Sequence, residues 1–126
     1  MKQAKRSGFT LVEVLTVIAI IALLAALILG LASSAQKKAA RSKAEAEISQ
    51  LENAVTDYQR KYGRVPLTRD DLQNELIATS FAITNLVDPW GMDYMYQTSS
   101  LVTFYLWSQG GETEGTDREM WVGRAP

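Results

Sequence analysis

The sequence predicts an α+β fold: a long N-terminal helix, transmembrane and then amphipathic, packed against a small antiparallel sheet. Three observations carry this expectation. An apolar run extends from Phe9 to Ala32, interrupted only by Thr10, Glu13, Thr16 and Gly30. Beyond it, Ala40, Ala44, Ile48, Leu51, Val55, Tyr58 and Tyr62 recur at steps of three and four, which places them on one helical face. The strand-like segments all follow residue 90, and helix first with strands after is the order of an α+β domain.

Each element has a local reason. Leu, Ala and Ile dominate the apolar run and it holds no proline, so nothing interrupts a helix from Phe9 to Tyr62, roughly 80 Å long at its standard rise. A bilayer core requires about 20 apolar residues, so the first part is long enough to span one. In the second part Arg41 with Glu45 and Lys43 with Glu47 are spaced for ion pairs. Gly63 supplies a helix stop and Pro66 prevents an early restart. Thr68, with Asp71 three residues on, predicts a capped short helix over residues 69–78. Residues 79–87 read as loop. Asp88-Pro89-Trp90-Gly91 is a turn by its own chemistry, since proline fixes one φ and glycine permits a positive one. Strands are predicted at Met92–Gln97, Leu101–Trp107 and Met120–Val122, with a turn at Ser99-Ser100.

Composition removes whole classes of function. A chain of 126 residues holds one small domain, and without Cys or His it has no disulfide, thiol nucleophile, imidazole base or zinc finger. No catalytic constellation stands out among its carboxylates, hydroxyls and lysines, so an enzyme is not expected. A formal net charge of −1 leaves no whole-chain basic footprint for nucleic acid. Positive charge is instead concentrated at Lys2, Lys5 and Arg6, and again at Lys37, Lys38, Arg41 and Lys43. The leader charges favour a cytoplasmic N-terminus, and the second cluster partly opposes it.

The first 35 residues admit three readings: a secretory signal peptide, a plain membrane anchor, or a leader cut at Gly8 with the apolar helix retained. Glu13 discriminates among them. A carboxylate near mid-bilayer costs roughly 2.5–3.5 kcal/mol on insertion scales and usually has a partner. A disposable signal has no use for that cost, and this run exceeds the roughly 7–15 residues of a signal-peptide core.

Gly8-Phe9-Thr10-Leu11-Val12-Glu13 resembles the G-F-T-L-[IV]-E processing signature of type IV pilins and pseudopilins. Leu51-Glu52-Asn53-Ala54, Tyr58 and Gly63-Arg64-Val65-Pro66 resemble the L-E-N-A…Y…N-G-R-Y-P stretch of type II secretion major pseudopilins, with Val65 in place of the usual aromatic. Asp88-Pro89-Trp90-Gly91 with Tyr94 and Tyr96 resembles their D-P-W-G-x-x-Y-x-Y. Gly30 stands where the family usually carries a proline. The resemblance implies a type IV pilin-like fold with a leader at residues 1–8, a transmembrane and filament-core helix at 9–32, and a periplasmic globular domain at 33–126.

It further implies cleavage by a prepilin peptidase after Gly8 and N-methylation of Phe9. Storage is then expected as a single-pass protein of a bacterial inner membrane, followed by assembly into a periplasmic helical filament of identical subunits. The implied partners are the inner-membrane assembly platform and minor pseudopilins. Within the filament Glu13 would neutralise the Phe9 amine of a neighbouring subunit, because each charge alone is expensive in low dielectric. Other readings are a pilin of an adhesion or DNA-uptake filament, and a secreted periplasmic binding module.

The segment Ser108–Glu119 is glycine-rich and carries Glu112, Glu114, Asp117 and Glu119. Hard oxygen ligands on a flexible loop suit Ca²⁺, and a solvated acidic turn has the same composition; the spacing matches no EF-hand loop. Major pseudopilins carry a structural calcium in the corresponding S-L-G-A-D-G…G-T-D-A-D-I loop. By that resemblance Glu112, Asp117 and Glu119 are the expected ligands, with Glu112 and Glu119 in the place of aspartates and the loop shorter by roughly two residues.

Overall fold

A computed structural model describes residues 3–4, 7–83 and 85–126. The expected leader cations Lys2, Lys5 and Arg6 lie outside the described residues, as does Thr84 of the expected loop. The chain divides into two compact units, Met1–Lys37 and Lys38–Pro126. Helix α1, Leu11–Tyr62, contributes to both.

In the first unit α1 begins at Leu11, two residues later than the apolar run, because Thr10 and Glu13 cap it there. Its apolar residues are exposed throughout, from Leu11 at 80 % to Leu31 at 72 %. A helix of this length and composition can cross a membrane. Gly30 lies within α1 without interrupting it.

The second unit is built on the amphipathic part of α1. Ala44, Ile48, Leu51 and Val55 of the predicted stripe are buried, together with Ala54. They pack with Val65, Leu72, Leu76, Leu86, Tyr94, Leu106 and Val122 in one apolar cluster. Each fully buried Leu or Val contributes roughly 1.5–3 kcal/mol relative to exposure. Tyr62, expected on the same face, is 48 % exposed, since the helix ends there, and its ring lies tilted against Tyr58 with centroids 4.4 Å apart. Arg41–Glu45 and Lys43–Glu47 form the anticipated ion pairs at 3.4 and 3.7 Å. Gly63 closes the helix with φ +73° and donates its N–H to Gln59 O.

Helix α2, Arg69–Ala78, starts with the predicted cap: the Thr68 hydroxyl accepts from Asp71 N, and the Asp71 carboxylate accepts from Thr68 N. It buries Leu72 and Leu76 against the core. The described residues of the following connection are loop, as expected, apart from an isolated bridge between Val87 and Asp93. There the Arg69 guanidinium donates to Leu86 O at 3.0 Å and to Asp93 Oδ1 at 2.8 Å, tying α2 to the turn.

The sheet is three-stranded, antiparallel and ordered β1-β2-β3: Met95–Ser100, Thr103–Ser108 and Val122–Arg124. All three strands run later than predicted. The predicted Ser99-Ser100 turn is displaced to Leu101-Val102, with Ser100 Oγ accepting from Val102 N. Register explains the shift, because Tyr96 pairs with Leu106 and Met95 with Trp107, so apolar neighbours meet across the strands. A turn at Ser99-Ser100 would set Tyr96 opposite Thr103. The third strand starts at Val122 because a short 3₁₀ turn, Arg118–Met120, takes up the preceding residues. Gly123 is required beside it: its φ is +102°, and a Cβ would stand 2.6 Å from Leu106 O and 2.9 Å from Ile48 Cδ1.

Candidate functional site

Gly8 and Phe9 precede α1 in non-helical backbone, and Phe9 is 90 % exposed. Glu13 lies in the first turn of α1. Its carboxylate accepts from Thr10 N at 2.8 Å and Thr10 Oγ1 at 3.0 Å, while Glu13 N donates back to Thr10 Oγ1 at 3.2 Å. This is a capping box. A negative charge here also complements the positive end of the helix dipole. The acid in the apolar run therefore satisfies one backbone donor and one hydroxyl of its own chain. The Thr-x-x-Glu spacing before an apolar run was a legible signal for it.

The acidic loop is organised by backbone capping. Glu112 Oε1 accepts from Thr116 N and Thr116 Oγ1 at 3.2 and 2.8 Å, and Asp117 N donates to both carboxylate oxygens at 2.9 and 2.8 Å. Partial burial pushes the Glu112 carboxyl up, but the hydrogen bonds from Thr116 and Asp117 outweigh it and hold the group below its ordinary range. Gly115, at φ +66°, turns the chain so that the next two N–H groups face that carboxylate. Asp117 Oδ1 accepts from Glu119 N at 3.1 Å and caps the 3₁₀ turn. Glu114 and Glu119 are exposed. Among the described residues no three acidic groups converge to hold a metal ion. Glu112, Asp117 and Glu119, the ligands expected from the resemblance, are neighbours in one loop, and the oxygens of Glu112 face the N–H groups of Thr116 and Asp117.

Asp88 anchors the start of the same loop, a role the turn reading of the sequence missed. It is 4 % exposed. Oδ1 accepts from Trp90 N at 3.0 Å and Met92 N at 2.9 Å, Ser108 Oγ donates to Oδ2, and Gly110 N donates to Ser108 Oγ at 3.0 Å. An Asp opening a Pro-x-Gly turn signals the local bonds. The partner twenty residues away has no sequence signal. Tyr94, also buried, donates its hydroxyl to Glu47 Oε2 at 2.7 Å and joins the segment before β1 to α1. Burial, with Glu47 beside it, pushes the phenol far above its usual range.

An apolar helix opening on a capped glutamate, continuing as the spine of a small antiparallel sheet, defines a type IV pilin-like subunit. Residues 3–29 match the prokaryotic N-terminal methylation motif, and residues 32–123 match the type II secretion system protein G family. The chain belongs to the type II secretion system protein G family, that of the major pseudopilins. The type II secretion system core protein G of Aeromonas hydrophila is 33 % identical, with 95 % of this chain and 94 % of that protein covered. The protein of the same name from Vibrio cholerae is 30 % identical over the same shares. That of Escherichia coli K12 is 34 % identical over 72 % of this chain and 71 % of its own. No solved structure was found to match. As a member of this family the chain is a structural pseudopilin subunit, not an enzyme.

Proposed function

We propose that this pseudopilin is cut by a prepilin peptidase between Gly8 and Phe9, methylated at Phe9, and assembled into a periplasmic pseudopilus that drives protein export. Before assembly residues 9–32 hold it in the inner membrane as a single span, with residues 33–126 in the periplasm. The observation that carries this reading is the placement of Glu13. It sits in the first turn of an exposed apolar helix, four residues after a non-helical, exposed Gly8–Phe9 bond. Proteolysis at that bond creates an ammonium at the depth of the carboxylate. In a filament the amine of one subunit and Glu13 of another neutralise each other, and a subunit out of register leaves both charges bare. The capping bonds to Thr10 support the carboxylate until that amine arrives.

Mass spectrometry of the mature protein, combined with Glu13→Ala, tests this reading. A chain starting at methylated Phe9 is expected for both wild type and variant, with filaments only from wild type. Working fibres that retain the leader would refute the processing step, and normal assembly of Glu13→Ala would refute the charge pairing. Loss of adhesion or DNA uptake on deletion, with export intact, would reassign the filament to a pilus machine.

A further inference from the structure

We infer that the loop Ser108–Glu119 is closed by the Glu112 carboxylate acting as a latch on the chain's own backbone, and that this pseudopilin holds the loop without a bound calcium ion. A hard cation of this kind takes six to eight oxygens. The most enclosed carboxylate of this loop already receives the Thr116 and Asp117 amides and the Thr116 hydroxyl. An N–H hydrogen and a cation compete for the same lone pairs. To ligate a metal through Oε1, Glu112 would have to release the Thr116 amide and hydroxyl, and bidentate ligation would displace the Asp117 amide as well, leaving those donors without partners. One oxygen of the Asp117 carboxylate, Oδ1, is engaged by Glu119 N.

The loop's two ends are fastened as well. Asp88 holds Ser108, which holds Gly110 N, and at the far end the Arg118 guanidinium lies 5.1 Å above the Trp121 ring. The positive partner of the latch is therefore peptide N–H, presented as a concave pair by the left-handed Gly115. Glutamate suits this task at position 112, since its longer arm spans the five residues to Asp117 N.

The test uses the full chain in detergent micelles, melted in calcium chloride and in EGTA, with amide exchange read at Thr116 and Asp117. The same midpoint is expected in both conditions, and Glu112→Gln is expected to lower it equally in both. Thr116→Val retains every carboxylate and removes one donor to the latch. It is expected to speed exchange at Asp117 by about two- to tenfold, with or without calcium, which keeps the test decisive if Glu112→Gln does not fold. A calcium-induced rise of more than about 4 °C, abolished by Glu112→Gln, would overturn the inference. So would unchanged exchange in Thr116→Val.

Discussion

Replacing Asp88 separates two roles of one buried carboxylate. Asp88→Ala leaves Trp90 N, Met92 N and the Ser108 hydroxyl without their acceptor in a site only 4 % exposed. An unsatisfied buried donor costs about 1–3 kcal/mol, and some water will reach the vacated space, so a total of roughly 3–5 kcal/mol is expected. Asp88→Asn behaves differently. Its amide oxygen can still accept from Trp90 and Met92, and its NH₂ can donate to Ser108, whose hydroxyl reverses and still accepts from Gly110 N. The expected loss is only about 1–2 kcal/mol, the charge assistance being what disappears. At about 4–8 °C per kcal/mol for a domain of this size, alanine lowers the midpoint by well over 10 °C and asparagine by less than half as much. Thermal unfolding of the full chain in micelles, followed by fluorescence of Trp90, Trp107 and Trp121, reads the difference. Equal losses for the two variants, or an alanine loss below about 1 kcal/mol, would refute the claim that this carboxylate holds the turn and loop together.

Two further outcomes follow from the packing. Because the folded state raises the Tyr94 phenol, its contribution is fully present below the unfolded tyrosine value of about 10 and is lost as pH climbs above it; Tyr94→Phe should therefore flatten alkaline melting curves, and identical pH profiles would argue against it. Gly123→Ala forces a Cβ against Leu106 O and Ile48 at a positive φ, so it should destabilise by about 2–4 kcal/mol in denaturant titration, whereas a neutral result would mean that β3 is not held against α1 as described.

Much of the chain was legible from local chemistry. The capping of α2 by Thr68 and Asp71, the stop at Gly63 and the turn at Asp88–Gly91 depend on residues a few positions apart, and the structure follows each of them. The stripe on α1 was legible as well, because helical periodicity repeats within one element. Strand limits were not. Two serines make an acceptable turn, but the hairpin turns at Leu101-Val102, since pairing Tyr96 with Leu106 outweighs the turn preference. The acidic loop shows the same boundary. Its composition suits a cation and a latch equally, and the orientation of the Glu112 oxygens toward Thr116 and Asp117, on which the latch proposal rests, has no signal in the sequence.

Linear order alone reveals a membrane-length helix with one acid at its head, an N-terminal methylation motif and a stripe to pack a sheet. Those features are periodicity, length and spacing along a single chain, so a linear reading reaches them. The tertiary structure decided what Asp88, Tyr94, Glu112 and Gly123 do. Hydrogen bonding and close approach depend on which groups folding brings together, and Asp88 to Ser108 or Glu47 to Tyr94 are joined across separations that leave no periodic trace.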